Sequence, residues 1–388
     1  MRPLGVVAVC GAAAALAACD SAPRQMSASG YGAYEVSMAA RPAGAGLDLA
    51  WYDTRDGNAE VYTRRVDASA QAVGADRRLT HTPAQSFEPD VVSTADGYVI
   101  AWYEKSADGA LHAQLGAWSF DGAPRWTQPL GSSARDTRIP VVRAWRDGLF
   151  AAWVEVEEGD RHVVWGQWRK LDGSAAAEPI RLAPAGPATW NLNAAIDSRG
   201  VPFVVFDALV GTQAQELYLV EAASAGPVVT RLGADDGHSS EYPDIAFSAD
   251  DQVALTWFDS RDGNDEVYLA GGSLAELRAD LTKHEHRVTD TSGSSIGAYV
   301  AWNGARIGLA WSDDTPGQFE IYFRPFAVSG DALGPQRRIT DNATSSLIPA
   351  IEPWSDGFAL AWSEVTPPAA GSAHDPSTRS EVLFTVVR

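Results

Sequence analysis

Cysteine is almost missing from this 388-residue chain: only Cys10 and Cys19 occur, both inside the first twenty positions. Beyond them no disulfide scaffold and no cysteine metal site can form. Basic residues are scarce as well, 30 Lys and Arg against 50 Asp and Glu, for a formal net charge of −20. A field of that sign repels phosphate backbones and anionic head groups, which sets nucleic acid aside as a partner. No window sustains a 3.6-residue apolar period, and no Gly-rich loop precedes a helix to cradle phosphate. The one long apolar stretch, Leu4 to Ala18, is too short to serve as a membrane-spanning anchor.

That stretch has a different meaning. Arg2 is the only charge ahead of it, the pattern of a cleaved export signal over residues 1–18. It ends in Leu16-Ala17-Ala18-Cys19, which resembles the lipobox of bacterial lipoproteins. The resemblance implies that Cys19 is acylated and becomes the first residue of the mature chain. It also implies that Asp20 favours retention at the inner membrane. The expected address is therefore the cell envelope, with the protein lipid-anchored and its body in the periplasm or outside the cell.

What the chain has in abundance is tryptophan, 14 residues, arranged in a repeat. An apolar run ending in an aromatic recurs as Leu-Ala-Trp51, Ile-Ala-Trp102, Ala-Ala-Trp153, Val-Val-Phe206, Leu-Thr-Trp257, Leu-Ala-Trp311 and Leu-Ala-Trp362. Self-similarity at this period over seven cycles predicts a propeller, and it overrides the two or three domains that length alone would suggest. Each cycle carries four β-type runs. The first has a Pro or small residue before branched apolars, as in Glu88-Pro89-Asp90-Val91 and Tyr242-Pro243-Asp244-Ile245. The second is the Trp run, the third often begins Glu-apolar-Tyr, and the fourth centres on Arg-Leu-Thr, with turn residues clustered between. The predicted fold is all-β, a seven-bladed propeller of four-stranded antiparallel blades over 31–82, 83–133, 134–185, 186–235, 236–291, 292–342 and 343–388. Stacking the blades buries the Trp positions, and most Trp residues are read as inter-blade packing. The last cycle has no fourth strand before Arg388. The segment 19–30 is left as a short tether, and residues near Met26 to Tyr31 are placed to close the ring.

Asp53-Thr-Arg-Asp56-Gly57-Asn58-Ala-Glu60-Val61-Tyr62, followed by Arg78-Leu79-Thr80, resembles the repeat of TolB-like, WD40-like (PD40-type) propellers; Asp259 to Tyr268 repeats it, and Asp313 to Tyr322 is a weaker copy. The resemblance implies an Arg-Asp-Gly-Asn hairpin between second and third strands and a Leu-Thr element closing each blade. It departs from TolB itself, which has a separate α/β domain and six blades. Asp-Gly and Gly-Asn supply the positive φ angles of a tight hairpin, so turn geometry accounts for most of the motif.

Those hairpins and the inter-blade loops share one face. It collects Asp53, Asp56, Glu60, Glu104, Asp259, Asp262, Glu266, Asp313 and Glu364, an acidic rim suited to a basic peptide, a protein partner or a divalent cation. The chemistry of catalysis is less visible. Gly293-Ser-Ser295-Ile-Gly297 matches a nucleophile elbow outside the strand–helix context that motif needs. His284-Glu285-His286 sits at an outer edge without a third metal ligand, and Asp53, Asp56 and Asn58 lack EF-hand spacing. The hairpins also lack the Ser and Trp positions of a sialidase Asp-box. The expected role is a monomeric, non-catalytic binding or scaffolding module that uses this rim, with no catalytic residue, no metal and no cofactor assigned; Ca2+ is the one ion that the acidic loops leave open. The alternative is a cell-surface, glycan-acting hydrolase or lyase with its site in the central depression. The two separate on asymmetry, since a catalyst needs differing residues from adjacent blades to converge in one pocket.

Overall fold

A computed structural model describes residues 22–28, 32–184, 186, 189, 191–211, 213–223, 225–365 and 379–388. Cys19, Asp20 and the export signal lie outside them. Seven separate four-stranded antiparallel sheets make seven blades. The first strand of each blade (Ala33–Ala40, Gln85–Ser93, Thr137–Trp145, Leu192–Ile196, Ser240–Phe247, Ser295–Asn303 and Ser345–Trp354) touches the first strands of its two neighbours, so these seven line the axis.

The second strands carry the repeated aromatic, and Trp51, Trp102, Trp153, Phe206, Trp257, Trp311 and Trp362 are each fully buried. In four blades the aromatic stacks on a tyrosine directly opposite on the third strand: Trp51 on Tyr62, Phe206 on Tyr218, Trp257 on Tyr268 and Trp311 on Tyr322. Cross-strand aromatic pairs of this kind add to the burial term. The apolar clusters cross blade boundaries: Trp51 packs with Ala359, Ala361, Val382 and Phe384 of blade seven. Each blade thus relies on its neighbours for a core, which is why the period runs unbroken.

The ring closes through the N-terminus. Arg24–Gln25 forms the outermost strand of blade seven, pairing with Phe384 and Leu383. Met26 continues it through a 2.7 Å hydrogen bond from its N–H to the Val382 carbonyl, and its side chain is fully buried. The closing segment lies slightly ahead of the expected Met26 to Tyr31, of which residues 29–31 fall outside the described set. One short helix, Leu274–Ala279, interrupts the all-β pattern in blade five; Ser273 and Glu276 cap it reciprocally. Among the described residues no helix is long and apolar enough to cross a membrane.

Candidate functional site

The acidic rim does not face solvent as a rim. Asp53, Glu60, Asp259, Glu266 and Asp313 are buried to within 1%. Each is committed to its own blade. Asp259 accepts from the Arg261 guanidinium at 2.6 Å, the Ser240 hydroxyl at 2.7 Å and the Trp257 indole at 3.2 Å. Despite its burial, those donors hold the carboxyl below its usual range. Glu266 takes Arg287 at 3.0 Å, Asn264 at 3.1 Å and the Thr289 hydroxyl. Glu60 repeats this with Arg78 at 2.6 Å and Thr80 at 2.5 Å, and Asp53 is held by Arg55. Asp313 accepts from Ser295 at 2.7 Å. Glu364 accepts from Ser346 at 2.8 Å and the Trp362 indole at 2.9 Å, while Glu104 has the Trp102 indole at 3.4 Å. Asp56 and Asp262 are the more exposed pair, yet both accept from a tyrosine, Tyr62 and Tyr268, and face Arg78 and Arg287. In blades two, five, six and seven the acid two places after the Trp locks its blade by accepting from an indole or a neighbouring hydroxyl that burial would otherwise orphan; in blade one Asp53 is held by Arg55 instead. His284-Glu285-His286 is structural too, Glu285 pairing with Arg261 at 2.7 Å.

Convergence occurs at the axis. Near its start, the first strand of six of the seven blades carries a register slip and a residue of positive φ: Glu35 (+53°), Glu88 (+48°), Ile139 (+51°), Tyr242 (+53°), Gly297 (+59°) and Ile348 (+53°). Asn191 holds the corresponding place in blade four, two residues before Asn193. These bulges lie at the end of the strand that meets the second-to-third-strand hairpins, so they ring the channel mouth on the hairpin face. Five of the residues are not glycine, and left-handed backbone costs an L-residue roughly 1–2 kcal/mol.

Around this ring the blades differ. Glu35 and Glu88 are neighbours, from blades one and two. Burial, then the Glu88 charge, pushes the Glu35 carboxyl up to about 8. Burial raises Glu88 as well, opposed by the Tyr103 hydroxyl, which donates to its Oε1 at 3.1 Å. The Glu35 backbone N–H is fixed on Ser363 Oγ of blade seven at 3.0 Å. Behind the two acids runs an aromatic arc, Tyr34 on Tyr52 at 5.4 Å, Tyr52 against Phe87 at 5.1 Å, and Phe87 against Tyr103 at 5.6 Å. Blade five lies across the ring from the boundary of blades one and two. There Tyr242 stacks on Phe258, stays 37% exposed, and donates its backbone N–H to Asp207 Oδ2 at 3.0 Å. Burial, Asp207, Glu88 and Glu35 together push its hydroxyl up to about 12.

Two to four residues further along the same strands, a polar network links blades two to six below the mouth. Arg143 donates to Asp90 at 2.7 Å, to the Ala194 carbonyl at 2.6 Å and to Asn193. Asn193 donates to Asp244 at 2.6 Å, and Asp244 also accepts the Val300 N–H at 2.9 Å. Among the described residues no group of three or more His, Cys, Asp or Glu is placed to hold a metal ion.

Sequence reading missed Glu35 and Tyr103, and took Glu88 and Tyr242 only as strand starts. The available signal was the variable residue before each period-locked proline, Glu88, Ile139, Tyr242 and Ile348.

No protein-family model and no curated protein matches the chain. Three solved structures share the fold along most of both chains. A protein of unknown function from Dyadobacter fermentans is 10% identical, with 96% of this chain and 100% of that one covered and a TM-score of 0.57. The α-L-arabinanase of Penicillium chrysogenum, complexed with arabinobiose, is 12% identical, with 94% and 98% covered and a TM-score of 0.54. The polysaccharide lyase Uly1 is 9% identical, with 90% and 89% covered and a TM-score of 0.53. At these identities the likeness is one of fold. The expected non-catalytic scaffold working through an acidic rim is corrected accordingly: five of its nine acids are buried and the others are bonded within the ring, and the propellers of this shape include glycan-active enzymes.

Proposed function

We propose that the chain is a glycan-acting enzyme, a glycoside hydrolase in the first instance, whose site is the channel mouth at the hairpin face. One observation carries the reading. Two carboxyl groups from adjacent blades meet at the mouth with raised proton affinities and differing partners, Glu88 accepting from Tyr103 and Glu35 fixed through its backbone on Ser363, beside aromatic surfaces on two sides. That is the asymmetry that separates a catalyst from a repeated structural ring. A carboxyl that keeps its proton near neutrality can protonate a glycosidic oxygen, which is the part for Glu35. Glu88, aligned by Tyr103, takes the part of the base or nucleophile on the other face of the sugar. Tyr242 offers an exposed ring for the apolar face of a pyranose or furanose. The activities printed for the arabinanase and the polysaccharide lyase support the same substrate class.

The test is turnover of a panel of plant, algal and bacterial polysaccharides, read both as reducing ends and as ultraviolet absorbance of an unsaturated product. Reducing ends without that absorbance identify a hydrolase, and the absorbance identifies the lyase variant. Glu88→Gln is expected to lose at least a thousandfold. No turnover across the panel, or full activity in Glu88→Gln, defeats the proposal.

We also infer that the enzyme works in the cell envelope, lipid-anchored through Cys19, with the Leu16-Ala17-Ala18-Cys19 sequence as support. Mass spectrometry of the mature N-terminus tests this; a chain that begins anywhere but an acylated Cys19 refutes it. The TolB-like kinship rests on the hairpin motifs of blades one, five and six.

A further inference from the structure

Beside the acid pair, on blade three, stands a cation without a counter-ion. Arg138 immediately precedes the bulge residue Ile139, in the register position that Tyr34 and Phe87 occupy in blades one and two. Among the described residues, five arginines bury an Nε that makes no hydrogen bond: Arg41, Arg55, Arg138, Arg261 and Arg278. Four of them are in ion pairs, with Asp48, Asp53, Asp259 and Glu221. Arg138 is in none, although the chain carries an excess of twenty acids. Its neighbour His162 is 4% exposed, and the His162 Nδ1 is buried without a hydrogen-bond partner. Two nitrogen groups thus remain unsatisfied at one edge of the mouth. The Arg138 charge reaches both the Tyr103 hydroxyl and His162, which places it next to the residue that orients Glu88.

We propose that Arg138 anchors a carboxylate subsite at the channel mouth, so that the sugar held against Glu88 is a uronic acid. The proposal rests on the glycan-acting reading and narrows its substrate class. A guanidinium presents a planar fork of donors that matches a carboxylate in two parallel hydrogen bonds, and it cannot be deprotonated. A structural arginine in so acidic a chain would be expected to collect an acid, as its four counterparts have. The overall charge of −20 does not oppose this locally, because exposed charges are screened beyond about 8 Å at physiological ionic strength. Burial that keeps Glu35 protonated also removes one negative charge from the mouth near neutrality.

The experiment is ligand-observed NMR on the full chain at pH 7 with D-galacturonate, D-glucuronate and L-iduronate against D-galactose and D-glucose, for the native protein, Arg138→Met and Arg138→Lys. Uronates are expected to bind at least tenfold tighter than the neutral hexoses. Arg138→Met should abolish that preference, and Arg138→Lys should restore part of it, with thermal midpoints confirming that all three proteins are folded. Equal binding of neutral and uronic sugars, no uronate binding, or uronate binding unchanged in Arg138→Met overturns the proposal. Turnover by the native protein separates the two claims: Arg138-dependent uronate binding in a native protein that cleaves no glycan removes the catalytic reading and leaves this one, and cleavage confined to neutral glycans does the reverse.

Discussion

The phenolic hydroxyl of Tyr103 donates to Glu88 Oε1 at 3.1 Å, from the second strand of blade two to the first. This bond stabilises the ionised carboxylate and so opposes the burial that raises the proton affinity of Glu88. Glu35, with no such donor and with Glu88 beside it, retains its proton up to about 8.

Catalysis should therefore follow a bell in pH, with its alkaline limb set by Glu35 and its acid limb by Glu88. Tyr103→Phe removes a stabiliser of the charged form, so the acid limb should move to higher pH while the alkaline limb stays in place. Initial rates from pH 4 to 10 on the substrate found by the panel check this; an unmoved acid limb would show that Tyr103 does not tune Glu88.

Glu352, on the channel wall of blade seven, has its carboxyl raised to about 8, by burial and against the pull of Arg143. A raised acid binds its proton more tightly in the folded state. Its contribution is neutral below the unfolded value near 4.3 and becomes destabilising as pH climbs from there to about 8. Glu352→Gln should flatten the fall of the thermal midpoint between pH 5 and pH 9. A variant whose midpoint falls as steeply as the native protein's would contradict the assignment.

Asp259→Asn should destabilise the fold by roughly 2–4 kcal/mol, because it removes one of the two carboxylates that hold the half-buried Arg261 and the charged acceptor of the Ser240 hydroxyl and Trp257 indole. Urea unfolding measures that loss, and sugar binding at the mouth should be unchanged. If binding were lost with stability intact, the hairpin acids would have to be returned to the site.

Gly297→Ala isolates the backbone term. A Cβ there would meet no atom within 4 Å, so only the φ of +59° resists it. The expected cost is about 1–2 kcal/mol. Ile348→Gly, at a φ of +53° with a side chain 37% exposed, should lose far less than a buried isoleucine would, and the relief of strain offsets part of that.

The blades were legible because Trp51 and its six counterparts do the same work seven times, and repetition is what a single sequence displays best. The same property misdirected the reading of Asp53, Asp259 and Asp313. Acids that recur in phase look like a surface, yet recurrence is what a packing role produces, and their buried partners are set by tertiary contact. Glu35, Glu88 and Arg138 were hidden for the opposite reason. Each is peculiar to its blade, and each is turned toward the axis by a bulge whose positive φ leaves no mark on a sequence lacking glycine at that place. Glu35 does not even precede a proline.

The seam between Arg24–Gln25 and Phe384 joins two segments that lie far apart along the polypeptide. Blade seven is complete only when that pair docks against it, and the hub needs Ser363 of blade seven to seat Glu35 of blade one, so the mouth is assembled by closure of the ring and belongs to no blade alone.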